Sequence, residues 1–213
     1  MNKKLLALFI LFTFHFLQSS QAQTVTIGKQ VWMSENLNVD KFRNGDLIPE
    51  AKTDEEWKKA GEEGNPAWCY YENRSSQDDP ENGEKYGKLY NWYAVNDSRG
   101  LAPKGWHIPS DDEWSILTNF LGGAKVAGEK MKSKTGWNEG GNGSNSSGFS
   151  GLPGGSRTYS GAFNTFGDDG YWWSSTEEGT LNAWYRYMDY DYSTIVRLNY
   201  DKANGFSVRC LRD

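Results

Sequence analysis

The sequence predicts an α+β fold built as a single domain. Two places carry the residue pattern of a capped helix start, one beginning at Thr53 and one at Ser110. The last third of the chain has short segments in which apolar and polar residues alternate, with turn residues between them, as in antiparallel strands. Together these patterns predict two short helices packed on short, mostly antiparallel strands that are joined by long loops.

The clearest structural motif is a junction between a strand and a helix. Trp106 lies in a short strand-like segment, which Pro109 ends. Ser110 and Glu113 then stand three residues apart, so that each side chain can accept a hydrogen bond from a backbone amide near the other. This spacing predicts that a helix begins directly after Ser110.

Three helices follow from these signals. The helix after Ser110 is predicted over 111–121, with Trp114 on its apolar face. The capping pattern at Thr53 predicts a shorter helix over 54–60, anchored by Trp57. A weaker apolar periodicity predicts a further helix over 124–132.

The strands are predicted from alternation and turn residues. A first hairpin is expected around Gly28, and a strand at 67–71. The segment 138–148 is almost free of apolar residues and is expected to be a long surface loop within the domain. Further strands are predicted at 149–152, 155–159, 171–175, 183–188, 193–198 and 205–211.

The N-terminus has the order of features typical of a secretory signal peptide. Two lysines precede an apolar run at 5–17, and small and polar residues follow as far as Ala22. The run of about 13 residues is short for a membrane span. The pattern predicts a signal peptide at 1–22 and an exported domain at 23–213, periplasmic, on the cell surface or extracellular; a retained anchor is the alternative.

The charge balance argues against a nucleic-acid partner. Removal of residues 1–22, which hold two lysines and no acid, takes the formal net charge from −5 to −7. No basic stripe is present to neutralise phosphates. No second apolar stretch approaches the length of a membrane span, so no integral membrane segment is expected after signal removal.

Four motifs occur in a fixed order along the chain: YGKLYNWYA at 86–94, GWHIPSDDEW at 105–114, GFSGLPGG at 148–155 and GFSVRC at 205–210. In this order they resemble the Fibrobacter succinogenes major paralogous domain, from about Val25 to Arg212. More distantly they resemble the formylglycine-generating, C-type-lectin-like fold. That resemblance implies a C-type-lectin-like core.

The two cysteines are Cys69 and Cys210. An even, small number of cysteines in an exported chain favours a disulfide, which here ties an early strand to the last one. In the chain-entropy model a loop of this length contributes roughly 4–5 kcal/mol. The alternative is a pair of free thiols that react or bind copper, as the resemblance to formylglycine-generating enzymes implies.

The sequence identifies no catalytic residue, cofactor or metal site. After signal removal His107 is the remaining histidine, too few for a multi-histidine iron site, and no nucleophile elbow accompanies it. We expect its ring to be hydrogen-bonded at the strand–helix junction. The acidic loop 73–84 matches part of a calcium-binding loop, but Pro80 occupies a position that needs a side-chain oxygen. A paired-carboxylate glycosidase site would depend on a spatial separation that sequence does not reveal.

The aromatic residues between Gly170 and Tyr200 are the best candidates for ligand contact. Amphipathic rings among short polar side chains make adaptable binding surfaces at low entropy cost. The triplets that calcium-dependent lectins of the resembled fold use are missing from the sequence. The predicted contacts to a glycan or protein are therefore made by rings alone: Trp172, Trp184, Tyr185, Tyr187, Tyr190 and Tyr192.

The predicted function is an exported, non-catalytic binding or surface-interaction module. It would recognise a glycan or protein through this aromatic-rich C-terminal face. The alternative is a copper and thiol oxidoreductase of the formylglycine-generating type, active or degenerate.

Overall fold

The computed structural model describes residues 23–74, 83 and 85–213. The predicted signal peptide and most of the acidic loop 73–84, including Pro80, lie outside these residues. Helices and antiparallel strands are mixed along the described chain, which confirms the α+β class. None of the described helices has the length and apolar character needed to cross a membrane.

The helices begin where the capping patterns predict. Thr53 and Ser110 both form complete capping boxes with the glutamate three residues later. The four-residue α2 has no apolar periodicity and was not predicted, because it is a single turn capped by the Asn91 side chain. The helices are α1 (Asp54–Glu62), α2 (Trp92–Val95), α3 (Asp111–Phe120) and α4 (Ala124–Met131).

The strands form four small sheets. A four-stranded sheet has the order β1-β2-β11-β5, and a three-stranded meander has the order β10-β9-β8. β3 pairs with β4, and β6 pairs with β7. The strands are β1 (Thr24–Ile27), β2 (Gln30–Met33), β3 (Trp68–Cys69), β4 (Leu89–Tyr90), β5 (Trp106–His107), β6 (Ser156–Arg157), β7 (Phe163–Asn164), β8 (Asp169–Glu178), β9 (Asn182–Asp189), β10 (Val196–Asp201) and β11 (Leu211–Arg212).

The predicted first hairpin and the C-terminal antiparallel meander are both confirmed. Gly28 forms the hairpin turn with a φ of +63°, and a Cβ there would lie 2.9 Å from the Phe120 ring. Both the backbone conformation and the space therefore require glycine at this position.

Two predicted strands are wrong. The segment 149–152 makes a single bridge, between Gly151 and Lys132, because Ser150 has a φ of +56° that breaks an extended run. The segment 205–211 forms regular strand only at its end. Its first residues bridge three different partners, so no continuous ladder can form: Gly205 with Arg157, Phe206 with Tyr90, and Ser207 with Trp172.

The core is largely aromatic and divides into three clusters. Five tryptophans are almost fully buried: Trp32, Trp57, Trp114, Trp172 and Trp173. The first cluster includes Trp173, Tyr185, Phe206 and Cys210; the second includes Trp32, Trp114, Trp172 and Met188; the third includes Trp57, Cys69 and Leu89.

The meander separates the first two clusters. On β9, Ala183 and Tyr185 pack into the first cluster, whereas Met188 packs into the second. On β8, Trp173 and Trp172 divide in the same way. The central strand is therefore buried on both faces, and alternation along it does not distinguish an inner from an outer face.

Candidate functional site

The six predicted contact residues do not share one surface. Trp172 is fully buried in the second core cluster, and Tyr185 is only 7% exposed. Trp184 lies on the opposite side of β9 from Tyr185, with its ring 3.3 Å from the guanidinium of Arg197. Burial on both sides of the meander is the physical reason for this division.

The remaining three predicted residues follow a similar division. Tyr187 packs against the first cluster, and Tyr190 packs against the second. Tyr192 is 59% exposed in the turn after β9. Of the six, only Tyr185 lines the aromatic cleft described next.

This aromatic cleft is built on rings from four segments. Tyr171 stacks on Phe206 with ring centroids 5.0 Å apart, and Tyr185 lies 4.8 Å from Phe206. Phe206 is fixed by two backbone hydrogen bonds that it exchanges with Tyr90. Tyr200 of β10, half-exposed, completes the aromatic lining.

The rest of the lining of the aromatic cleft, called the polar wall below, is uncharged. The cleft has a volume of about 300 Å³, and its described lining holds no ionisable acid or base other than tyrosine. The polar lining residues are Ser156, Thr158, Asn164, Thr165 and Asn204. A lining that combines aromatic rings with hydroxyl and amide groups suits a polyhydroxylated ligand.

The β6–β7 hairpin positions this polar wall. Ser156 pairs with Asn164 across the hairpin, and Arg157 exchanges backbone hydrogen bonds with Gly205, next to Asn204. The Arg157 side chain is fully buried and donates to the carbonyls of Gly161 and Ala51 at 2.9 and 2.8 Å. These bonds hold the hairpin against the segment that enters α1.

A ladder of tyrosines and carboxylates borders the aromatic cleft. The Tyr171 hydroxyl donates to Asp169 at 2.8 Å, and the Tyr187 hydroxyl donates to Asp189 at 2.9 Å. Asp169 and Asp189 are opposite each other in the β8–β9 register. Burial raises the pKa of Asp169, and burial also raises the pKa of Tyr187. These hydrogen bonds fix the Tyr171 ring, which lines the cleft, and the Tyr187 ring beside it, 5.2 Å away between centroids.

The predicted disulfide is wrong. Cys69 and Cys210 are both free, and they lie in different core clusters. Burial raises the pKa of each thiol to about 12. Thiolates are the species that react or bind metal, so both thiols are inert at neutral pH. The described residues also contain no group of three or more histidine, cysteine or acidic side chains arranged to hold a metal.

His107 has the structural position predicted for it. Its Nδ1 lies 2.8 Å from Asp213 and its Nε2 lies 3.0 Å from Glu113 of the capping box. Burial alone would lower the pKa of His107, but the two carboxylates outweigh burial and raise it. The ring links the strand–helix junction to the C-terminal segment.

The sequence pointed to Tyr171, Tyr185 and Tyr200 as members of an aromatic-rich region, but it did not identify the polar wall. That wall depends on long-range pairing of 156–165 with 204–206, for which the sequence carries no local pattern.

The fold defines a mixed α+β protein with an aromatic core and an uncharged aromatic cleft. Its family follows from comparison: the chain belongs to the Fibrobacter succinogenes major domain family, whose model matches residues 25–212. Searches among curated proteins and among solved structures find no match.

Proposed function

We propose that this protein is an exported, non-catalytic binding module that recognises a neutral glycan in the aromatic cleft. The observation that carries the proposal is the cleft lining, which combines tyrosine and phenylalanine rings with neutral hydroxyl and amide side chains. The C-type-lectin-like architecture belongs to the same proposal and rests on the sequence motifs alone.

The chemistry of the lining suits a sugar. The apolar C–H face of a sugar ring packs on an aromatic ring, while its hydroxyls exchange hydrogen bonds with amides and hydroxyls. Asn204 is held in place by its bonds to the Tyr159 amide and the Asp201 carbonyl, at 3.1 and 2.9 Å. A fixed amide loses little conformational freedom on binding, which favours affinity.

A non-catalytic role is supported by the state of the reactive groups. The carboxylates nearest the cleft accept hydrogen bonds from tyrosines, and His107 is held between two acids. The oxidoreductase alternative gains no support, because both cysteines are buried with a raised pKa.

The test is glycan-array screening followed by calorimetry with the neutral oligosaccharides that bind. Tyr200→Ala removes an exposed ring of the cleft, and we expect about a tenfold loss of affinity, equivalent to about 1.4 kcal/mol. Tyr192→Ala is the matched control, since Tyr192 is similarly exposed but lies outside the cleft lining. If Tyr192→Ala weakens binding and Tyr200→Ala does not, the cleft is the wrong site.

A further inference from the structure

A second cleft adjoins the aromatic cleft at Thr165. Its volume is about 400 Å³, and Thr165 contributes to the lining of both clefts. The second cleft is lined by Tyr71, Glu72, Arg74, Thr165, Phe166 and Asp168. The two clefts therefore share one lining residue, which belongs to the polar wall.

An aromatic floor continues into the second cleft. Tyr71 lies against Phe166 with ring centroids 4.8 Å apart, and against Phe163 at 5.1 Å. The rim of this cleft is charged: Arg74 pairs with Glu72 at 3.1 Å, and Asp168 accepts a hydrogen bond from Asn138 at 3.0 Å. Among the described residues of this rim, two carboxylates and one guanidinium disfavour an anionic sugar.

Left-handed backbone conformations occur at the residue that both clefts share and at two residues in or beside the second cleft. Thr165 has a φ of +61°, and Glu72 and Asn73 have φ values of +52° and +55°. A left-handed conformation is uncommon for residues other than glycine and is an outlier for a β-branched one. The Thr165 carbonyl accepts bonds from the amides of Asp168 and Asp169 at 3.1 and 3.0 Å, so the turn demands this conformation.

Glycine would satisfy the same turn without strain. Threonine adds a hydroxyl between the clefts, 3.5 Å from the hydroxyl of Tyr171. Strained residues held by their surroundings are found preferentially where a ligand is bound. The same hydroxyl also hydrogen-bonds the Asp169 carboxylate, so the side chain is held in place at the point where the two clefts share their lining.

We infer that the two clefts are one groove, which binds a linear, neutral oligosaccharide across Thr165, with one subsite in each cleft. Thr165 is then a positioning residue that contacts the chain between the subsites. This inference rests on the proposed function, because it needs the aromatic cleft to bind a sugar.

Calorimetry with cello-, xylo- and manno-oligosaccharides of increasing length, from the monosaccharide upward, tests the groove. We expect affinity to rise about tenfold between the monosaccharide and the trisaccharide and then to level off, since each subsite adds contacts. Oligogalacturonides, which are anionic, should bind at least tenfold more weakly than neutral oligosaccharides of equal length.

Two variants separate the subsites. Thr165→Gly should remove the gain with chain length while leaving the melting temperature unchanged or raised, because glycine relieves the left-handed strain. Arg74→Ala, at an exposed side chain of the second cleft, should weaken binding of the trisaccharide but not of the monosaccharide. Tyr200→Ala should weaken binding at every length.

The outcomes distinguish the two proposals. Equal affinity for all chain lengths, or unchanged trisaccharide binding in Thr165→Gly, overturns the groove and leaves the aromatic cleft as a single-sugar site. If no neutral oligosaccharide binds at any chain length, both the groove and the proposed glycan-binding function are overturned. Tighter binding of the oligogalacturonides would show that the charged rim does not select neutral chains, and would overturn the assigned ligand class.

Discussion

Replacement of Asp111 by alanine should destabilise the protein strongly. The Asp111 carboxylate accepts hydrogen bonds from Arg186 at 2.7 Å and from Arg197 at 2.8 Å. The Arg186 side chain is 3% exposed, whereas that of Arg197 is 47% exposed. Without the carboxylate, Arg186 stays buried with neutral acceptors, which are the backbone carbonyls of Asp111 and Tyr185 and the Ser115 hydroxyl.

The expected cost follows from this difference in burial. Removing one partner of a buried ion pair costs about 3–5 kcal/mol, whereas an exposed pair contributes about 0–1 kcal/mol. Asp111→Ala should therefore lower the free energy of unfolding by about 3–5 kcal/mol. For a domain of this size that corresponds to a fall in melting temperature of roughly 6–20 °C. Arg197→Ala should cost about 1 kcal/mol, including its cation–π contact with Trp184.

Urea unfolding followed by tryptophan fluorescence measures these values, because five tryptophans are almost fully buried in the native state. The double variant Asp111→Ala with Arg186→Met should recover much of the loss, since it removes both buried charges. The buried-pair explanation would be refuted if Asp111→Ala lowered the free energy of unfolding by less than about 1 kcal/mol. It would also be refuted if the double variant lost more stability than the two single variants lose together.

Two further predictions concern His107 and the cysteines. Because its folded-state pKa is raised, His107 contributes stability that is full below its unfolded pKa of about 6.5 and is lost as pH rises through the higher folded value. His107→Ala should therefore lower the melting temperature more at about pH 5 than at about pH 9; a larger effect at alkaline pH would contradict this sign. Cys69 and Cys210 should both resist a thiol reagent in the native protein and both react in denaturing urea, without prior reduction, because both are free and buried. If the two cysteines react in urea only after reduction, the chain contains the disulfide and the prediction of free thiols is wrong.

Features set by local sequence could be predicted, and features set by long-range pairing could not. Both capping boxes depend on residues three apart, and the helices begin where Thr53 and Ser110 place them. The six predicted aromatic contact residues do not share one surface, because their burial is set by long-range packing. Which face of β9 carries Tyr185 follows from alternation, but the burial of both faces depends on clusters assembled from the whole chain.

The cysteines illustrate the same limit. An even count in an exported chain predicts a bond, yet pairing requires proximity, and Cys69 and Cys210 belong to different clusters. The polar wall of the aromatic cleft likewise depends on the bridge between Arg157 and Gly205, which are far apart in sequence.

The central position of β11 has a consequence for how the chain folds. Leu211 pairs with Trp32 on one side and with His107 on the other, so the four-stranded sheet is incomplete until residue 211 is available. The preceding residues fill the space between Tyr90 and Trp172. A chain still emerging from a ribosome or a translocation channel thus lacks the strand that joins its N-terminal hairpin to the rest. Because the sheet closes through contacts between residues so distant in sequence, we expect it to close late in folding, in one cooperative step.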